Sequence, residues 1–167
     1  EMLGSWSFND YFKQDSIDWA WEFLTKICRL DEERLYITIF QGDKKDNISK
    51  DKESLEAWSK HVPNDRIISF GKLDNFWEMG DSGPCGPCSE IHYDNRTKEE
   101  RSSLSGRDLV NQNHPEVIEI WNLVFIEYSR DSKGSLSKLP DSHVDTGMGF
   151  ERLCMIMQSC QSNYDTD

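Results

Sequence analysis

The stretch Val117 to Tyr128, VIEIWNLVFIEY, constrains the fold more than any other part of the chain. It is the longest run of β-branched and aromatic side chains in the sequence, so a sheet strand must pass there. Glu119 and Asn122 interrupt the run. Buried strands seldom carry a carboxylate and an amide amid Ile, Trp, Leu and Val without a task. Strict alternation puts Asn122 and Val124 on one face and Glu119 on the other. If both polar groups serve one site, a β-bulge has to re-aim one of them. The plainer reading leaves Glu119 facing solvent at the start of the strand. In a site, oxygen donors of this kind suit Mg²⁺ bridged to phosphates better than zinc.

Other segments fall into place around that strand. Leu35 to Phe40, LYITIF, reads as a core strand, Arg66 to Phe70 as a shorter one, and Gly134 as a hairpin after which Leu136 to Asp145 returns. Glu1 to Phe12 reads as a buried aromatic strand that turns at Asn9-Asp10. Asp15 or Ser16 is suited to cap a helix whose apolar stripe is Ile17, Trp21, Leu24, Ile27 and Cys28. Lys52 to Lys60 reads as a second helix, with Leu55 and Trp58 on one face. Asn95 to Asn113 is polar without a period and reads as a mobile surface loop. Gly80, Gly83, Pro84, Gly86 and Pro87 punctuate Asn75 to Asp94, which reads as an ordered loop entering a strand at Ser89 to Tyr93. Loops of that kind often line sites, because backbone approaches a ligand there.

The stretch His143 to Leu153, HVDTGMGFERL, reads as a strand ending in a carboxylate, a Gly-X-Gly turn and a helix. Gly147 and Gly149 remove Cβ atoms where the chain turns or lets a flat ligand lie against it. Arg152 sits in the first turn of that helix, where the dipole favours anions, so its placement points to anion binding or ring stacking. Asp145 is suited to hold a ligand's ammonium. By itself the pattern also fits a plain turn at a helix boundary.

Composition limits the alternatives. A formal net charge of −12 argues against a free-standing nucleic-acid binder. No apolar run approaches membrane-spanning length. Five cysteines, an odd number, fit a reducing compartment better than a disulfide scaffold. Cys85-x-x-Cys88 with His92 invites zinc, but no fourth ligand stands at motif spacing, and the prolines before both cysteines also fit a rigid loop. Trp77, in NFWEMG, is either a core ring or a pocket wall. His143 has no serine partner at a recognisable elbow, which sets aside a Ser-His-Asp hydrolase. The start, EMLGSWSF, lacks the pattern of a signal peptide and reads as an abrupt entry into a longer chain.

Long strings of this sequence resemble the alanyl-tRNA synthetases, a family of class II aminoacyl-tRNA synthetases. They are EMLGSWSFNDYFK at the start, DNFWEMGDSGPCGPCSEIHYD in the middle, EIWNLVFIEY in the long strand, HVDTGMGFERL, and NYDTD near the end. The resemblance implies an α+β fold, a class II synthetase-like antiparallel sheet flanked by helices. It implies ATP-dependent activation of alanine and transfer to tRNA(Ala), with alanine and ATP as substrates, Mg²⁺ as the metal, tRNA contacts mostly outside this chain, and no membrane. In its terms the whole of 1–167 is a partial aminoacylation domain, from the end of motif 2 through motif 3. Arg152 matches the ATP-contacting arginine, and Gly147 and Gly149 lie beside it. Asp145 matches the carboxylate that holds the α-amino group, Trp77 and Val124 the walls around the methyl, and Asn122 a substrate contact. Met2 falls beside the adenine site, and Glu119 in an ExxN magnesium pattern.

Two departures carry expectations of their own. Asn9 stands where the family has Gly in SF-G-DYF, and Asn tolerates a positive φ, so the turn is expected to survive. Motif 1 and the first half of motif 2, with its arginine, are not in the sequence, so weak or no activity is expected of the isolated chain. The competing reading is a non-catalytic fragment of the same fold that binds a nucleotide or partner. The segment LVNQNHPEVIEIWN looks like the eukaryotic cytosolic form, and a cytoplasmic location follows from that likeness.

Overall fold

The computed structural model describes residues 1–167. Its elements in chain order are β1 (Met2–Leu3), β2 (Trp6–Phe8), α1 (Lys13–Glu22), β3 (Leu35–Phe40), α2 (Lys52–Trp58), β4 (Ile67–Phe70), α3 (Lys72–Asn75), β5 (Phe76–Glu78), β6 (Gly83–Asp94), α4 (Lys98–Ser103), β7 (Val117–Arg130), β8 (Leu136–Gly149) and α5 (Phe150–Met157). The strands form one eight-stranded sheet in the order β1-β8-β7-β6-β3-β4, with β2 also on β8 and β5 on β6. All pairs are antiparallel except β3 with β4. The expected α+β class stands, with that one parallel pair at the edge.

One face of the sheet is the core. Leu35, Ile37 and Ile39 of β3, Ile91 and Tyr93 of β6, and Leu123 and Phe125 of β7 join Ile17, Ala20 and Trp21 of α1 and Trp58 of α2 in a single buried cluster. Trp58 is fully enclosed, and its indole N–H donates to Ser89 Oγ at 2.8 Å, so the polar end of the ring is satisfied.

Several local expectations are corrected. Helix α1 starts earlier than Asp15 or Ser16: its N-cap is Phe12, with no side-chain cap. After Glu22 the helix widens into a π turn, Phe23–Ile27, closed by Cys28 N–H to Phe23 O. That wider turn advances the stripe, so Leu24 and Leu30 stay buried while Ile27 faces water. Asn95 to Asn113 is not structureless. Thr97 and Glu100 form a capping box that starts α4, a helix without apolar periodicity because none of its residues is buried. The aromatic residues of the first strands are exposed and not buried, Trp6 60% and Phe8 79% accessible with only Ser7 between them enclosed, because the strands run along the outer edge of β8. Asn9 adopts φ 58°, as its tolerance of that region allows.

The largest correction concerns β6, which begins at Gly83 instead of Ser89 and runs straight through both prolines. A register shift between Cys85 and Cys88 against β7 accommodates the missing N–H of Pro87, whereas Pro84 keeps its register opposite Ser129. Gly86 fits only because it has no Cβ: one added there would collide with Phe125 O. Gly86→Ala is therefore expected to destabilise the fold by about 1–3 kcal/mol or more, since backbone and not a flexible side chain must move. Urea denaturation measures this, and an unchanged midpoint would refute the packing argument.

Strand β8 also runs further than the sequence indicates. It continues through Gly147 to Gly149, and α5 begins at Phe150. Neither glycine has a positive φ. Gly147 serves close approach, since an added Cβ would stand 2.5 Å from Met2 Cε.

Candidate active-site cleft

The face of the sheet opposite the core carries a cleft of about 460 Å³. It is lined by Met2, Trp6, Trp77, Glu119, Asn122, Val124, Asp145, Thr146 and Gly147. Register explains the gathering. Val124 stands opposite Asp145 and Asn122 opposite Gly147 across β7 and β8, and opposed residues in an antiparallel pair share a face. Trp6 lies opposite Asp145 on the other side of β8, and Met2 opposite Gly149.

Glu119 reaches the same face through a bulge. The β6–β7 pairing steps from Ile91–Trp121 to His92–Glu119, which leaves Ile120 as an extra residue in β7. Ile120 turns into the core, and Glu119 is returned to the side of Asn122. The re-aiming that the two polar groups require if they serve one site is thus present, and the solvent-facing reading of Glu119 is replaced by a half-buried one.

The electrostatics of this face centre on carboxylates. Burial pushes the Glu119 carboxyl above its ordinary range, and the nearby charge of Glu90 adds to it. Asn122 Oδ1 is buried and has no hydrogen-bond partner in the chain. Glu90, opposite Asn122 on β6, is buried but satisfied: Thr38 Oγ1 donates to Oε2 at 2.9 Å, Asn111 Nδ2 donates at 3.1 Å, and His92 Nε2 lies 3.0 Å away. Burial works to raise Glu90, yet these bonds, His92 foremost, hold it below the ordinary value.

Arg152 and Gly149 lie at the rim and do not line the cleft. Arg152 Nη1 donates to Glu119 O at 2.6 Å and stands 3.8 Å from its carboxylate. Gly149 allows this arginine to fold back, because a Cβ there would meet Arg152 Cδ at 3.2 Å. The cleft residues without a sequence assignment are Trp6 and Thr146. Thr146 belongs to HVDTGMG but has no chemistry that distinguishes it in sequence, and Trp6 reads there as core.

The Cys85, Cys88 and His92 trio is divided among different tasks. Cys85 packs with Phe40 and Phe76, Cys88 donates to Asp74 O at 3.7 Å, and His92 faces Glu90. Burial pushes the Cys88 thiol far up from its ordinary range. No group of three or more His, Cys, Asp or Glu side chains comes together as a metal shell.

The model of the family described as tRNA synthetases class II (A) matches residues 1–167. The chain is 60% identical over 168 residues to the alanine–tRNA ligase of Christiangramia forsetii. It is 59% identical over 167 residues to that of Bacteroides thetaiotaomicron and 56% to that of Porphyromonas gingivalis. Each alignment covers 100% of this chain and 19% of the relative, so the chain spans about a fifth of the length of these curated relatives. Because these bacterial proteins align across its whole length, the stretch Leu109 to Asn122 does not set a eukaryotic form apart.

Proposed function

The chain belongs to the class II tRNA synthetases (A), and we propose that it is part of the catalytic core of an alanine–tRNA ligase. Residues 1–167 are read as running from the end of motif 2 through motif 3 of an aminoacylation domain. One observation carries this reading. Trp77, Asn122, Val124, Asp145 and Gly147, far apart in sequence and individually matched to an alanine site by resemblance, line a single cleft.

In that cleft Asp145 takes the α-ammonium of alanine, Trp77 and Val124 flank its methyl group, and Asn122 contacts the substrate. Gly147 leaves room for the ligand beside Met2. Met2, Gly149 and Arg152 bound the nucleotide, with Arg152 supplying positive charge for its phosphates. The alanine carboxylate attacks the α-phosphorus of ATP, the bond to the departing pyrophosphate breaks, and alanyl-adenylate forms. A ribose hydroxyl at the 3′ end of tRNA(Ala) then takes the alanyl group and AMP leaves. Neither step needs a protein nucleophile, so positioning and charge neutralisation supply the acceleration. A pocket of this kind excludes larger side chains but separates alanine from glycine or serine poorly.

Glu119 and Asn122 fit a hard cation. Their donors are oxygens, the Asn122 oxygen is buried without a partner, and the Glu119 carboxyl sits in an environment a positive charge would relieve. They are the residues we assign to Mg²⁺, which when bound neutralises phosphate charge. With a formal net charge of −12 the chain offers little to a phosphate backbone, so tRNA is read as held mainly by other regions of a protein of the relatives' length. Five free cysteines fit a reducing cytoplasm, and no helix is long and apolar enough to cross a membrane.

Thermal unfolding of a protein carrying this chain tests the reading, with a non-hydrolysable alanyl-adenylate analogue beside its prolyl counterpart. The alanyl compound at a hundred times its Kd is expected to stabilise the folded state by about 2.7 kcal/mol, and the prolyl compound to leave the midpoint in place. Equal shifts, or none, would remove the alanine assignment. No shift with either is also what the competing reading, a fragment that binds some other partner, expects.

A further inference from the structure

Trp77 lines the cleft, yet the backbone that carries it is weakly tethered. Strand β5 has three residues and pairs only with β6, where Pro87, Gly86 and Cys85 stand opposite Phe76, Trp77 and Glu78. Pro87 has no N–H to donate and Gly86 no side chain to pack. Past Glu78 one further backbone bond, Met79 N–H to Pro84 O at 3.3 Å, holds the chain to β6 before it leaves through exposed residues to Ser82, with Gly80 at φ 157° and Gly83 at φ 128°.

Side chains on the opposite face from Trp77 make up for this. Phe76 is buried against Phe40 and Cys85. Glu78 is held from two sides: Arg130 Nε donates to Oε1 at 2.5 Å, and Lys72 Nζ lies 3.2 Å from Oε2. Both cations also bind Asp46, Arg130 Nη2 at 2.6 Å and Lys72 Nζ at 2.7 Å. Arg130 Nη1 donates to Gly134 O at 2.8 Å as well. Two cations and two carboxylates thus close a ring that ties the loop after β3, helix α3, strand β5 and the β7–β8 hairpin together. Asp46 and Arg130 are each only 11% exposed. Hydrogen bonds from Arg130 and Lys72 hold the Asp46 carboxyl down at about 2, so Asp46 stays charged across the physiological range.

We propose that Glu78, held by Arg130, Lys72 and Asp46, is a positioning residue that fixes Trp77 in the cleft wall and so sets selectivity for a small side chain. The proposal rests on the reading of the cleft as an alanine site. Its physical basis is the strand's period of two. Trp77 faces the cleft only while Phe76 and Glu78 are anchored on the other face, and a slip or twist of so short a strand turns the indole away. A pocket that recognises one methyl group is sensitive to such a shift.

The test is alanine-dependent ATP–pyrophosphate exchange in a protein of the relatives' full length that carries this chain. Glu78→Gln keeps the shape and removes the charge. It is expected to raise KM for alanine on the order of tenfold, to leave KM for ATP unchanged, and to reduce the preference for alanine over serine. Arg130→Lys keeps a cation without the planar fork and is expected to fall between the wild type and Glu78→Gln. Added salt is expected to raise KM for alanine in the wild type and to matter less in Glu78→Gln. Unchanged KM, selectivity and salt response in Glu78→Gln would overturn the proposal. So would a loss that strikes alanine and ATP alike together with a lowered unfolding midpoint, because that marks a purely structural ring. A wild-type protein without alanine-dependent exchange would instead overturn the reading of the cleft.

Discussion

Asp145→Asn is expected to lower kcat/KM for alanine by about a hundredfold to a thousandfold while leaving KM for ATP near its original value. The substitution is isosteric, so the register of β8 against Val124 and Trp6 survives and only the charge is lost. That charge is unoccupied within the chain. None of the protein's own ion pairs, made by the N-terminal ammonium, Lys13, Lys26, Lys72, Arg96, Arg130, Arg152 and two histidines with other carboxylates, involves Asp145, which leaves it free for an ammonium brought by a ligand. A charge-assisted contact in a partly enclosed cleft is worth more than a neutral one, and removing one partner leaves the substrate's ammonium without compensation. Since alanine keeps that ammonium in both ground and transition states, most of the loss should appear in KM. Steady-state pyrophosphate exchange at varied alanine resolves the two constants. A variant with wild-type KM for alanine would remove Asp145 from the site.

Much of this cleft was legible in the sequence, for a physical reason. A strand as apolar as Val117 to Tyr128 has no cheap place for Glu119 and Asn122, and the conflict between their spacing and strict alternation points to a bulge, found at Ile120. Other features were illegible because tertiary contacts decide them. Pro84 and Pro87 argue locally against a strand, and only the neighbouring strands β5 and β7, with Phe125 O close above Gly86, make room for one. The aromatic residues Trp6 and Phe8 read as core but flank the outermost edge of β8, a matter of topology that side-chain type does not encode. Helix α4 has a recognisable signal in Thr97-x-x-Glu100, hidden by the absence of any apolar period. The ion clusters are the least legible of all, since their members are brought together from distant segments.

The cluster around Lys13 shows what such assemblies contribute. Its Nζ lies 3.0 Å from Asp51 Oδ1 and 2.7 Å from Glu127 Oε1, and the Lys13 and Asp51 side chains are only 5% and 4% exposed. The ammonium also stands 5.4 Å and 5.6 Å from the ring centroids of Phe12 and Phe125. Asp51 caps α2, accepting from Ser54 N–H at 3.0 Å and from Ser54 Oγ at 2.7 Å, so Lys13 joins α1 and the start of α2 to β7. Burial works against the Lys13 charge, but Asp51 and Glu127 hold it above its ordinary value. A folded-state value raised in this way gives a stabilisation present through neutral pH and lost only as pH climbs past the lysine range. Lys13→Met keeps the aliphatic stem and deletes the charge, leaving the buried Asp51 and Glu127 carboxylates, and the exposed Glu53 that lies 3.5 Å from Nζ, without this cation. The expected cost is about 3–5 kcal/mol in urea denaturation at neutral pH, larger than for any exposed pair on this surface. Adding Asp51→Asn and Glu127→Gln to Lys13→Met should recover much of that loss, because the penalty lies in the stranded charges more than in the missing attraction. If Lys13→Met costs less than about 1 kcal/mol, water must reach both carboxylates, and the cluster is then an open surface network that contributes little to the fold.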